Sequence, residues 1–366
     1  MSWTCAKFRL AYAIRCIVWL ALGRTWPGDR QCPSGISCAQ LVASPFGNDE
    51  KGRVTLRTVS FGFQTWGRET LQALIDLGHE VPLAVTHPAS EHSYKAIWSS
   101  SVEGLAREQG IPVHLTERVD AETIEVVKRT RPDVIVVNSW YSWMPPELYA
   151  LPPHGTLNLH DSLLPKFAGF SPALWALISG EPEFGLTVHR MDQGLDTGDI
   201  LIQRRLPIGP ADTGTDLVRR GIELIPGALR DALTALESGT AVWQPQNKAE
   251  RVYFHKRSGR DSMIDWSWPA EDLERFVRAL SEPYPPAFTF YEGERIEVLE
   301  ARVSESRYGG TPGRVVAQEG GGAVVSGPDA YRGGNYALVI TKVRDVDSVE
   351  RDGNEFFTRG GYLTEV

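Results

Sequence analysis

The chain has 366 residues, of which 42% are hydrophobic, with 46 acidic and 38 basic side chains and a formal net charge of −8. A chain this long and this apolar can form two domains with a real core, which excludes a disordered or fibrous protein. The acidic balance gives no global attraction to phosphate backbones, so nucleic-acid binding would require a local basic surface.

Cys5, Cys16, Cys32 and Cys38 are the only cysteines, so everything after residue 38 is built without disulfides or thiolate metal ligands. The stretch LAYAIRCIVWLALG (10–23) follows Lys7 and Arg9 like a targeting segment. Arg15 splits its apolar run, no small-residue cleavage site follows cleanly, and a span would need about 20 apolar residues. No methionine lies between Met1 and Met144, the first strand-like segment begins at VTLRTVSFG, and Val54 fits an alternative start codon. Residues 1–53 therefore read as an N-terminal extension, non-native or disordered, that the fold does not need.

From residue 54 short apolar runs alternate with helix-like stretches. RTVSFGF (57–63) reads as a strand ending in a glycine turn, RETLQALIDLGHE as a helix and VPLAVTH as a strand. SVEGLAREQG reads as a helix closed by Gly110, IPVHL as a strand, and AETIEVVKRTRP as a helix ended by Pro132. DVIVVNS and GTLNLH follow as buried strands, GLTVHRM and DILIQRRLPI as further β-segments, and DLVRRGIELIPGALRDALTALESG as a helical stretch. This alternation predicts an α/β fold, a doubly wound, mostly parallel sheet, over 54–243, with ligands beyond the carboxyl ends of the strands. Residues 244–262 read as a polar linker. Residues 263–366 hold one helix (AEDLERFVRAL) and short β-pieces broken by Gly and Pro, a smaller C-terminal β-rich domain that could close as a barrel.

The chemistry concentrates at the end of GTLNLH. Positions i and i+2 of a strand face one side, so Asn158 and His160 point into the same crevice. The acidic, glycine-rich loop MDQGLDTGD (191–199) can bend sharply and bring Asp192 or Asp196 to that strand end. An Asn, a His and an Asp meeting there supply a hydrogen-bond donor for an oxyanion, a general acid, and a carboxylate that orients the imidazole. In FGFQTWG (61–67), Gly62 and Gly67 could cradle an anion or simply form a tight turn; GxGxxG and P-loop spacings are absent. His79 and His154 read as loop residues and His189 as an ordinary strand residue. No HExxH or Cys-His spacing indicates a metal site.

Taken together, NLHDSLLPKFAG (158–169), GEPEFGLTVHRM (180–191) and GLDTGDIL (194–201) resemble the formyltransferase family that uses 10-formyltetrahydrofolate. IDWSWPAEDLERFVRALSEPYPPAFTF, PGRVVA and GAVVSG look like the smaller, OB-like C-terminal domain of methionyl-tRNA and amino-sugar formyltransferases. The resemblance covers about residues 54–366 and implies Asn158, His160 and Asp196 as the catalytic trio. It implies 10-formyltetrahydrofolate as co-substrate, no metal, and a cytoplasmic enzyme. The pterin would lie along Ser139, Trp140, Trp143 and Met144 and against Asp192 and Leu195.

The acceptor is narrower to read. Methionyl-tRNA formyltransferases carry a basic insertion after the second strand, where this chain reads THPASEHSYKAIWSSS (86–101) with Lys95 its only Lys or Arg. tRNA is therefore disfavoured, and Gln64, Thr65, Trp66, Glu91 and His92 read as a pocket for a small-molecule amine. FGFQTWG, THPASEH and RGGYLT together resemble siderophore hydroxyornithine formyltransferases, with amino-sugar enzymes the nearest rival. No membrane partner is expected and a homodimer is left open. A C-terminal domain acting as a nucleic-acid or carrier-protein binding module is the reading from a different class, and the lack of a basic-aromatic stripe speaks against it.

Overall fold

The buried apolar runs between residues 57 and 160 become one sheet. In the computed structural model, which describes residues 47–48, 54–89, 98–328 and 335–364, the strands are β1 (Thr58–Gly62), β2 (Ala84–Thr86), β3 (Val113–Leu115), β4 (Val134–Asn138) and β5 (Thr156–His160). They run parallel in the order β3-β2-β1-β4-β5. After the two-residue β6 (Ala168–Gly169), β7 (Glu183–Arg190) and β8 (Ile200–Pro207) extend the sheet past β5, each antiparallel to its neighbour. Every residue of β1, β2 and β4 is buried, as a parallel sheet covered on both faces requires.

Helices α1 (Gln64–Asp76) and α2 (Val102–Glu108) cover one face, where Leu71, Val102 and Leu105 pack with Ala84. Helices α3 (Ala121–Thr130) and α4 (Pro146–Tyr149) cover the other, where Val127 and Leu148 meet Val59, Phe61, Ile135 and Val137. Caps fix where two of them begin: Ser101 accepts from the Gly104 amide, and Asp120 from the Thr123 amide.

Three readings need correction. Helix α1 starts at Gln64, so FGFQTWG is the first turn of a helix and not a loop. A Cβ on Gly62 would lie 2.6 Å from the Gly67 Cα, so both glycines serve close strand-helix packing and do not form an anion cradle. A further helix, α5 (Pro172–Ile178), sits where no helix was expected. The long helical stretch is two helices, α6 (Gly214–Glu223) and α7 (Ile225–Glu237), interrupted at Leu224 just ahead of Pro226, which has no N–H to continue the ladder.

Beyond helix α8 (Ala270–Ala279), the C-terminal strands are β10 (Ala287–Tyr291), β11 (Glu294–Tyr308), β12 (Val315–Glu319), β13 (Gly322–Val325), β14 (Asn335–Arg344) and β16 (Leu363–Thr364). Their order is β12-β13-β14-β11-β10-β16, with β15 (Glu350–Asp352) on β14, all antiparallel. An Arg314–Tyr362 bridge and bonds from the Val315 amide to the Gly361 carbonyl (2.9 Å) and the Leu363 amide to the Gly313 carbonyl (2.8 Å) join the two ends. The sheet thus closes on itself as a barrel.

Of the proposed extension, only Gly47–Asn48 is described, paired antiparallel with Val54–Thr55; the rest lies outside the described residues. The chain divides into a unit Met1–Thr55 and a unit Leu56–Val366.

Candidate active site

The strand order changes direction between β1 and β4, and a crevice opens there beyond the carboxyl ends of the strands. It holds about 250 Å³ and takes Gln64 and Trp66 from the start of α1, Ser139 and Trp140 from the loop after β4, and Asn158 and His160 from β5. Gln64, Ser139, Ser171 and Asp196 all line it and all have left-handed backbone, with φ of 54°, 57°, 52° and 52°. Non-glycine residues in that region carry strain that only a surrounding structure can hold, and such strain gathers at functional sites.

Asn158, His160 and Asp196 meet in this crevice. Asn158 Nδ2 lies 3.3 Å from Asp196 Oδ1 and 3.0 Å from Nε2 of His189, which stands opposite Asn158 on the antiparallel β7. His189 Nδ1 donates to the Arg190 carbonyl at 2.9 Å, so Nε2 of the neutral ring is the acceptor. Both Asn158 N–H groups are therefore engaged inside the protein, and its Oδ1 is the atom left for the crevice. This departs from the reading of Asn158 as the donor to an oxyanion.

His160 is buried, and its Nε2 donates to the Phe167 carbonyl at 2.9 Å. Its Nδ1 stands 3.9 Å from Asp196 Oδ2, too far for a hydrogen bond and close enough for an ion pair once the ring is protonated. Burial pushes the Asp196 carboxyl up, but the charge of His160 and the Gly169 amide, among its neighbours, outweigh it. Asp196 is held well below the usual carboxylate range.

The Asp196 loop is tied by three hydrogen bonds from two residues. The Gly169 amide donates to Asp196 Oδ2 at 2.9 Å, and Gln246 Nε2 donates to the carbonyls of Asp196 (2.9 Å) and Gly198 (2.7 Å). A Cβ on Gly198 would come within 1.8 Å of the Arg190 carbonyl, so the bend admits only glycine there. Asp192 closes the turn by accepting from the Gly194 amide and the Thr197 hydroxyl, an internal role unlike the folate contact expected of it.

Of the other expected contacts, Ser139, Trp140, Leu195, Gln64 and Trp66 line the crevice. Met144 does not: it is buried in the core beside Phe61 and Val137. Trp143 is 62% exposed and also stands off the crevice wall. The Thr65 hydroxyl donates to the Trp98 carbonyl, so it fastens the loop before α2. Glu91 and His92 lie outside the described residues. The Trp140 ring stacks on His87 at 4.0 Å, and the indole N–H groups of Trp140 and Trp66 are buried without a hydrogen-bond partner among the described residues. The Trp140 ring nonetheless lines the crevice and offers flat apolar surface there. Among the described residues no His, Cys, Asp and Glu cluster could hold a metal ion, and no helix is long and apolar enough to cross a membrane.

The sequence reading missed His189, Asp161, Tyr141, Tyr284, Lys256 and Arg257. His189 is found only through the β5–β7 register, and the other five all line the crevice. Lys256 and Arg257 belong to the segment read as a linker, whose Tyr253–Phe254 strand (β9) pairs parallel with β6. Tyr284 follows α8 and reaches the crevice from the C-terminal part.

Similarity to known proteins agrees with this geometry. Residues 57–233 match the formyl transferase family and residues 257–359 the formyl transferase C-terminal domain. A methionyl-tRNA formyltransferase of Desulfotalea psychrophila is 34% identical over 278 residues, 75% of this chain and 85% of its own. One from Marinobacter nauticus is 31% identical over 311 residues, 84% of this chain and all of its own. Among solved structures, an N-formyltransferase of Helicobacter canadensis, in complex with folinic acid and dTDP-3-aminofucose, superposes with a TM-score of 0.59 at 17% identity, covering 78% of this chain and 99% of that one, a likeness of fold. With both domains matched and relatives aligned over most of their length, the chain belongs to the formyl transferase family.

Proposed function

We propose that the enzyme moves a formyl group from 10-formyltetrahydrofolate to the nitrogen of a small-molecule amine, hydroxyornithine being the foremost candidate. The observation that carries the transfer is the convergence of Asn158, His160 and Asp196 at the strand ends. The amine nitrogen attacks the formyl carbon, a C–N bond forms, and the bond from that carbon to the folate nitrogen breaks. One proton moves from the amine to the departing nitrogen. Asn158 Oδ1 accepts from the amine N–H and aims its lone pair; His160, protonated at Nδ1, donates to the formyl oxygen as charge develops there; ionised Asp196 balances the imidazolium. The folate is supported by the Trp140 ring in the crevice lining and by the folinic acid bound to the Helicobacter canadensis protein.

Methionyl-tRNA is the second reading, favoured by the names of the sequence relatives. Against it stand the net charge of −8 and the single basic residue between 86 and 101. Product formation with 10-formyltetrahydrofolate should be followed by mass spectrometry against hydroxyornithine, ornithine, a nucleotide-linked amino sugar and methionyl-tRNA. Formylation of hydroxyornithine is expected. Formylation of methionyl-tRNA alone, with a steeply salt-dependent gel shift, would establish the second reading instead.

A further inference from the structure

The crevice is also lined by charged and phenolic side chains outside the Asn158, His160 and Asp196 trio. Asp161, next after His160, is partly buried in its wall, and no side chain among the described residues hydrogen-bonds or ion-pairs with it. Tyr141 and Tyr284 line the same space: Tyr141 is bonded to Gln64 and Ser139, and Tyr284 accepts from Trp98 Nε1 at 3.1 Å. Lys256 and Arg257 contribute positive charge to the same crevice from the β9 segment. Arg257 is buried, with its guanidinium over the Trp175 ring at 4.9 Å and a bond to the Asp261 carbonyl.

We propose that this crevice binds its acceptor as a zwitterion, with a second, unreacting ammonium of the acceptor at Asp161 and an anionic group, in the simplest case a carboxylate, at Lys256 and Arg257. The inference rests on the small-amine reading above and names the class of amine: an amino acid whose side chain carries the nitrogen to be formylated. Burial pushes the Asp161 carboxyl above its ordinary value, with His160 opposing and Asp196 reinforcing the shift, as befits a carboxylate whose cation arrives with the ligand. A nucleotide-linked sugar would satisfy the basic wall and leave Asp161 without a cation. An aminoacyl ester on tRNA brings phosphates but only the one amine that reacts, and likewise leaves Asp161 without a cation. An α-amino acid head group fills both places.

The test pairs changes in the protein with changes in the acceptor. The wild-type enzyme is compared on hydroxyornithine, on 5-(hydroxyamino)pentanoate, which lacks the α-ammonium, and on hydroxyornithine amide, which lacks the carboxylate. The wild type should favour the full amino acid in kcat/KM by about tenfold or more over each, the size of one charge-assisted hydrogen bond. In Asp161→Asn the preference over 5-(hydroxyamino)pentanoate should vanish while that over the amide persists; Lys256→Gln should do the reverse. Asp161→Asn should also raise Tm at pH 7. An acid with a raised folded pKa costs stability at pH above that value, and the cost disappears below the unfolded value of about 3.9. If hydroxyornithine is formylated and Asp161→Asn keeps the full preference for the ammonium, the zwitterion site is wrong and the small-amine reading stands. If no small amine is formylated, both fall.

Discussion

Asn158 offers the crevice an oxygen because His189 and Asp196 take its two N–H groups. His189 is thereby a positioning residue. With Nδ1 committed to the Arg190 carbonyl, its Nε2 fixes which way the amide faces. Loss of an acceptor for a buried donor costs about 1–3 kcal/mol. His189→Phe should therefore lower kcat roughly tenfold with the folate KM unchanged. His189→Gln, whose amide oxygen can still accept, should recover part of the loss; normal kcat in His189→Phe would remove the role. Asp196 needs no such help to stay charged. Its depressed carboxyl stabilises the fold above the unfolded value of about 3.9, and that contribution is lost only as pH falls below it. At this scale the sequence shows Asn158, His160 and Asp196, whose alternation and glycine-rich loop carry the signal. It hides His189, because a partner across an antiparallel ladder has no mark in local spacing.

Among the elements, the pairing of β6 with β9 bears directly on the site. Gly169 has φ +98°, and a Cβ there would stand 2.4 Å from the Phe254 carbonyl. The same residue's amide holds Asp196. Gly169→Ala should push the β9 segment away and release the carboxylate, lowering Tm by several degrees and kcat together, as thermal unfolding and steady-state kinetics would show. An alanine variant with unchanged Tm and kcat would contradict this account of the pairing. The parallel strands β1 to β5 were legible because short β-like runs, fully buried in β1, β2 and β4, alternate with helix-like stretches. The β6–β9 pairing was not: Tyr253–Phe254 is a two-residue strand in a polar stretch, and its partner lies more than 80 positions earlier. Helix α5 was hidden for a related reason, since PALWALI is buried on nearly all sides and shows no amphipathic period.

At the level of the whole molecule, the two matched segments share one core. Leu174 and Leu177 of α5 and Leu217 of α6 pack with Leu273 and Phe276 of α8 and with Ile296 and Val298 of β11. This continuity is how Tyr284, from the C-terminal part, comes to line a crevice built on β4 and β5. The C-terminal part thus contributes a side chain to the crevice itself, a link that composition could not show because it depends on packing between distant segments. The central claim is formyl transfer at Asn158 and His160. It is tested most directly by measuring amine-dependent release of tetrahydrofolate by the wild type, Asn158→Ala and His160→Ala, with folate affinity measured alongside. Loss of His160, the donor to the developing oxyanion, costs about 2.7–4 kcal/mol, and loss of Asn158 removes the acceptor that aims the amine. His160→Ala should thus lose about 100-fold or more in turnover, and Asn158→Ala most of its turnover, each while binding folate normally. Near-normal turnover in either variant would contradict the claim.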